Sequence, residues 1–291
     1  MISEEKVKSG EESRFCVLVN SSDRARDIFE IVFGKAETMW RDCNWPRFVG
    51  FTSALPDIYG FKSVAAPGSS DWRSEFAGQL DSLPSEIAYV LRLEEDALSL
   101  APVNGKKLQE IGDIMLRDDL SYVSLVPVSR SIVCRGVDFF RKKLSKRPLR
   151  PVSFSEPYYS SLVPAIWKRS YLRELLRQPG SIWEFEFTVT GERHYAVWDS
   201  VLELEHLVSK GKWSWRAPRQ LARQGLSLAN SKRGFQTVRS RLRSMREKLS
   251  FQLFGYLSLR IRRRLNLLPA MPKDLTGSQL GLISGTDKTS G

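Results

Sequence analysis

The chain opens with a polar stretch, residues 1–12, and then turns abruptly apolar: Phe15-Cys16-Val17-Leu18-Val19, closed by Asn20-Ser21-Ser22-Asp23. A short uninterrupted apolar run of this kind suits a strand buried on both faces, as in a parallel sheet. A helix is predicted over about 25–40, a second strand at Arg47-Phe48-Val49-Gly50-Phe51, and a helix over 71–83 capped by Ser70 or Asp71. Ile87 to Leu93 reads as another buried strand, 106–116 as a helix, and Tyr122 to Val126 as a strand. Strand, helix, strand, helix, strand is the order of a βαβ sheet, so the predicted class is α/β. Farther along, 138–150 is a basic surface excursion, and 158–176 carries Leu162, Ile166, Trp167 and Leu172 toward a core. Alternation in Trp183-Glu184-Phe185-Glu186-Phe187 predicts an extended segment with the two glutamates on one face.

The last quarter follows a different rule. From Phe235, the apolar residues Val238, Leu242, Met245, Leu249 and Leu253 recur every three or four positions with arginines between them, which predicts a basic amphipathic helix over about 235–264. Gly255 weakens it as one continuous helix. Residues 210–264 hold sixteen Lys/Arg and one acid, Glu247, a charge of +15. The whole chain carries +12, which leaves +12 − 15 = −3 elsewhere, so the basic character belongs to an extension and not to the fold. Residues 271–291 are rich in Gly, Ser and Thr and are expected to be disordered.

Composition narrows the class further. At 291 residues and 42% hydrophobic content the chain can bury a real core. Cys16, Cys43 and Cys134 are scattered, without a CxxC pair, and the first residues lack a signal-peptide pattern. No run approaches the roughly 18–20 apolar residues that span a bilayer. The expectation is a reduced, cytoplasmic protein, peripheral at most on the inner face of the cell membrane.

Glu94-Glu95-Asp96 is the sharpest candidate for chemistry, since it follows a predicted strand at its carboxyl end, where open α/β sheets bind ligands. Hard carboxylate oxygens there suit Mg²⁺ or Mn²⁺. The alternative reading is a solvated acidic turn. Glu184 and Glu186, beside bulky apolar residues, are candidate general bases, with an ordinary strand face as the alternative. His194 and His206 sit in no metal-ligand or nucleophile pattern and are assigned no catalysis. Asn20-Ser21-Ser22-Asp23 is not a Gly-rich phosphate loop.

Taken in order, Phe15 to Asp23, Asp71-Trp72-Arg73-Ser74-Glu75, Tyr89 to Asp96, Pro157-Tyr158, Ala165-Ile166-Trp167-Lys168, Tyr171-Leu172, Trp183 to Glu186 and Lys210-Gly211-Lys212-Trp213 resemble a bacterial glycosyltransferase-like family with the GT-A fold, associated with surface polysaccharide synthesis. The resemblance spans about 14–215. It implies a mostly parallel sheet flanked by helices, and sugar transfer from a nucleotide diphosphate donor to a glycan or lipid-linked acceptor. It also implies Asp23, Trp72, Arg73, Ser74, Glu95, Lys210 and Lys212 near the donor, and Glu94 and Asp96 on a divalent cation, Mn²⁺ or Mg²⁺. For Trp72 the competing role is core packing, and for the lysines simple solvation. Val163-Pro164 and the basic excursion of 141–150 depart from the family pattern. The expected division is a flexible 1–12, a transferase domain 13–215, a basic helical extension 216–270 and a tail 271–291. For the extension an anionic membrane surface ranks first, packing on protein second and nucleic acid third. A non-catalytic nucleic-acid- or membrane-binding protein, or a degenerate transferase fold serving as an assembly subunit, are the competing readings of the whole chain.

Overall fold

The structure is a computed structural model. It describes residues 13–246 except 54, 67–70, 128–139, 146, 153–158, 163, 179, 181, 187–191, 230, 241, 243 and 244. The expectations for 1–12, for Pro157-Tyr158, for Val163 and for everything past 246 lie outside the described residues.

The first strand, β1 (Phe15–Asn20), leads through a short 3₁₀ turn (Asp23–Ala25) into helices α1 (Arg26–Val32) and α2 (Ala36–Met39). The single helix expected over 25–40 is therefore broken at Phe33-Gly34-Lys35, where glycine lowers helix propensity. Strands β2 (Arg47–Phe51) and β3 (Lys62–Ala65) precede α3 (Trp72–Asp81), β4 (Tyr89–Glu94), β5 (Ala97–Ser99), α4 (Gly105–Arg117) and β6 (Tyr122–Ser124). After β7 (Leu149–Pro151) come β8 (Ala165–Lys168), α5 (Arg169–Leu176), α6 (Ile182–Glu186), β9 (His194–Val197) and β10 (Leu204–His206). The hairpin β11 (Val208–Ser209) and β12 (Lys212–Trp213) and helix α7 (Ala217–Arg223) complete the named elements.

Eight strands form one sheet in the order β3-β2-β1-β4-β8-β6-β9-β7. The β3-β2-β1-β4 half is parallel throughout, β6 and β9 are parallel, and β8 runs antiparallel between β4 and β6. The expected class, a mostly parallel α/β sheet flanked by helices, is the one observed.

The continuous apolar run of β1 has the predicted cause. Phe15, Val17 and Val19 face a core closed by α1 and α4, while Cys16 and Leu18 face a second core closed by α3 and α5. Both faces are covered, so both need apolar side chains. Leu162, Ile166, Trp167 and Leu172 are all buried, as expected. Cys16 and Cys43 are buried free thiols.

A second expectation is overturned. Ile182–Glu186 is a helical turn and not an extended segment. Two residues along a helix advance about 200° around its axis. Glu184 and Glu186 therefore diverge instead of sharing a face. Phe185 fills the space between α3 and β8, edge-on to Trp72 at 5.7 Å and tilted against Trp167 at 5.9 Å. Burial of that one ring sets the local conformation more strongly than the alternation of apolar and acidic residues.

Candidate active site

The site is assembled at the carboxyl ends of β1 and β4, which lie side by side in register from Phe15 opposite Tyr89 to Asn20 opposite Glu94. Beyond Glu94 the chain makes a tight turn through Glu95 and Asp96 and enters β5. That strand pairs antiparallel with β10, and the register sets His206 opposite Ala97. A histidine 110 residues downstream is thereby delivered beside Asp96.

His206 Nδ1 lies 2.9 Å from Asp96 Oδ1 and 3.1 Å from Glu94 Oε2. The nearest ligand atoms of all three side chains fall within 4.8 Å of one another. Asp96 is 8% exposed, whereas the His206 side chain is 41% exposed, so the cluster is rooted in protein and open on one side. Asp96 is fixed from below: its Oδ2 accepts the N–H of Val208 at 2.9 Å, and its carbonyl accepts the N–H of Leu207 at 3.1 Å. Glu94 is fixed by Arg92, whose Nη1 donates to Oε1 at 3.0 Å.

Arg92 is 3% exposed, and the same nitrogen also donates to the carbonyl of Leu162. The N–H of Leu162 in turn donates to Glu186 Oε1 at 3.1 Å. A single backbone residue thus links the Arg92–Glu94 pair to one of the two candidate bases. Glu184 takes a different position: its charge acts on Arg73, whose guanidinium donates to the carbonyls of Gly180 at 2.7 Å and Leu175 at 3.1 Å.

The charges of the site perturb one another. Burial pushes the Glu95 carboxyl up to about 7, and the neighbouring Asp96 and Glu94 charges add to the shift. At His206, burial acts to lower the pKa, but the hydrogen bond to Asp96 and the charges of Glu94 and Asp96 outweigh it and leave it raised. Nδ1 lies within hydrogen-bond reach of both carboxylates.

A second polar group adjoins the end of β1. Asn20 Nδ2 donates to Gln79 Oε1 at 2.7 Å, and Gln79 Nε2 donates to the carbonyl of Ser21 at 2.9 Å. Gly50 makes this possible: a Cβ there would stand 2.1 Å from the Gln79 side chain. Ser21 Oγ, Glu75 Oε1 and Arg92 Nε are buried here without a hydrogen-bond partner among the described residues. Buried polar atoms are normally hydrogen-bonded, so water, an ion or a polar ligand would complete the bonding here.

The other expected site residues fall as follows. Asp23 accepts the N–H of Thr52 at 3.0 Å and of Ser53 at 3.3 Å, together with the Ser53 hydroxyl, and these bonds lower its pKa. Of the two expected caps of α3, Asp71 serves, accepting from the N–H groups of Arg73 and Ser74, and Ser70 lies outside the described residues. Trp72 is partly buried against Phe185, Arg73 is 6% exposed, and Ser74 is exposed. Arg73 therefore ties α3 to the end of α5. Lys210 and Lys212 are exposed on the β11–β12 hairpin, whose turn residues Lys210 and Gly211 have φ of 51° and 73°. That is the left-handed pair a two-residue hairpin turn requires. The sequence pattern missed His206, Asn20 and Gln79, because only strand register and helix packing bring them to the site, and it missed Arg92, although Arg92 stands two residues before Glu94 on β4 and so shares its face.

No protein-family model matches the chain, and no curated protein matches it. Solved structures with a similar course of chain include residues 1–349 of S. aureus TarS, with a TM-score of 0.39 and 11% identity over 65% of this chain and 59% of that one. Mouse xyloside xylosyltransferase 1 gives 0.32 and 12% identity over 55% and 68%. A cytidylyltransferase from Leptospira borgpetersenii serovar Hardjo-bovis (strain JB197) gives 0.33 and 11% over 60% and 68%. The chain spans about three fifths of the TarS fragment.

Proposed function

We propose that the chain is a nucleotide-sugar-dependent glycosyltransferase that transfers a sugar to a glycan or lipid-linked acceptor, as in surface polysaccharide synthesis. The carrying observation is the Glu94–Asp96–His206 cluster at the carboxyl edge of the parallel half-sheet. The donor set fits a divalent cation. Two carboxylates and one imidazole suit Mn²⁺ better than Mg²⁺, which prefers oxygen alone. When bound, such a cation neutralises the diphosphate that leaves the donor sugar.

The chain's own residues have separable roles in this reading. Glu94, Asp96 and His206 hold the cation, with Arg92 and the Val208 N–H orienting the two carboxylates. Ser21, Glu75 and Asn20, with Asp23, Trp72-Arg73-Ser74 and Glu95, are the residues assigned to the nucleotide. Lys210 and Lys212 approach the phosphates from the hairpin. Glu186, joined to the cluster through Leu162, is the stronger of the two candidates for accepting the acceptor hydroxyl's proton. Glu184 serves to hold Arg73.

The test is a thermal-stability titration with nucleoside diphosphates and nucleotide sugars, with and without Mn²⁺, on wild type, Asp96→Ala and His206→Ala. A donor in hundredfold excess over Kd stabilises the fold by about 2.7 kcal/mol. The expected result is a Mn²⁺-dependent rise for one nucleotide family that both substitutions abolish. His206 is surface-exposed, so its variant stays folded even if Asp96→Ala does not. A folded wild type indifferent to the whole panel overturns the reading.

A further inference from the structure

Between Lys210 and Arg246 the chain holds eleven Lys/Arg and no Asp or Glu. The start of this stretch is fastened to the domain. Trp213 donates its N–H to the Gly234 carbonyl at 3.0 Å and accepts that of Gln236 at 2.9 Å, while its indole donates to Ser231 Oγ at 2.7 Å. Arg233 forks onto Asp27 at the start of α1, with two N–H···O distances of 2.8 Å.

Past this anchor Thr237 Oγ1 accepts the N–H of Ser240 at 3.2 Å and opens a helical stretch. Val238, Leu242 and Met245 then follow at intervals of four and three residues, the spacing of one helical stripe, with Phe235 bridged to Trp213 just before it. A stripe that served the core would be buried. Here Phe235 and the three stripe side chains are 50%, 75%, 61% and 54% exposed, with Arg239 and Arg246 exposed beside them. Trp215, 46% exposed with Arg216 stacked over its ring at 5.1 Å, lies on the same basic stretch.

We propose that residues 210–246 form a docking surface for an anionic lipid bilayer. The apolar stripe enters the boundary between headgroups and acyl chains, and the flanking cations sit among lipid phosphates. Charge complementarity selects this occupant: every charged side chain of the stretch is cationic, which matches a sheet of phosphates. Nucleic acid would satisfy the cations and leave the apolar stripe in water. This inference stands whether or not the transfer reading holds.

The test is co-sedimentation of the full chain with vesicles of phosphatidylcholine alone and of phosphatidylcholine mixed with phosphatidylglycerol. The expected result is binding to the mixed vesicles only, weakened by salt. Arg239→Ser and Arg246→Ser should each weaken it roughly fivefold, and Val238→Glu with Leu242→Glu by tenfold or more, with the thermal midpoint unchanged. Equal binding to both vesicle types, or wild-type binding by the glutamate pair, overturns the proposal. So does a stripe-dependent dimer that ignores vesicles, which would assign the surface to a second copy. Displacement by duplex RNA that the glutamate pair undergoes equally would assign it to nucleic acid.

Discussion

The two histidines of the chain occupy regions built on opposite principles. His194 is fully buried on β9, stacked on Tyr159 at 4.1 Å and against Tyr122 at 4.4 Å, and edge-on to Trp167. Its Nδ1 faces the Tyr159 carbonyl at 2.9 Å and its Nε2 the Tyr171 hydroxyl at 2.8 Å. A carbonyl can only accept, so Nδ1 carries the hydrogen and Nε2 accepts from the tyrosine. The ring is neutral and complete, and burial pushes its pKa down to about 4. His206 is open to solvent beside two carboxylates, and its pKa is raised. One residue type thus makes a structural plug where both ring nitrogens are satisfied and a candidate ligand where two carboxylates converge. The surroundings decide.

The sharpest way to break this contrast is at the acidic cluster. Asp96→Ala should lower transfer on the order of 10²–10³-fold, the range for losing a preorganised electrostatic contact. His206→Ala should follow it, while His194→Gln should leave transfer per folded molecule near wild type. A His194 variant that is folded yet as inactive as Asp96→Ala would collapse the distinction.

The second test exploits acid. The unfolded chain takes up a proton on His194 near the ordinary value of 6.5, but the native chain does so only near 4. Between these values the unfolded state binds more protons, so His194's contribution to stability is intact above about 6.5 and is lost as the pH falls toward 4. At pH 5 the loss is about 2 kcal/mol. Urea unfolding of wild type and His194→Gln at pH 7.5 and 5 measures it: the variant should lose less on acidification. Parallel slopes would refute the assignment.

The same contrast explains what could be read before the fold was known. β1, β2, β4 and α4 were legible because burial on one or two faces stamps a period on the sequence, as at Leu108, Ile111 and Met115. Glu94 and Asp96 were legible because a strand's carboxyl end is marked by where the apolar run stops. His206 was not, since its partner lies 110 residues away and only the β5–β10 register joins them. Strands of two to four residues such as β3, β5 and β12 are too short to carry a period. Glu184 and Glu186 misled because alternation over five residues fits a strand, while one buried ring, Phe185, enforced a helical turn.

A smaller effect is expected one step behind the cluster. Arg92 holds Glu94 much as Tyr171 holds His194, but it serves an open site rather than a closed core. Arg92→Lys keeps a buried charge and loses the fork to Glu94, Leu162 and Asn20. Supporting residues of a cation site are typically worth 10–100-fold. Mn²⁺ affinity, read from stabilisation by Mn²⁺ alone, should fall within that range. An unchanged affinity would mean that Arg92 only fills space over Phe76.

The smallest effect separates two roles of one side chain. Lys210 adopts φ of 51° in the hairpin turn that begins two residues after Val208, a conformation that costs a lysine more than an asparagine. Lys210→Asn should therefore stabilise the fold, by about 0.5 kcal/mol. On the proposed function the same change also removes a cation assigned to the donor phosphates, so KM for the donor should rise while stability improves. The two signs are opposite and are measured independently. If stability rises and KM stays put, Lys210 belongs to the turn alone, and contact with phosphate falls to Lys212, the other lysine of the hairpin.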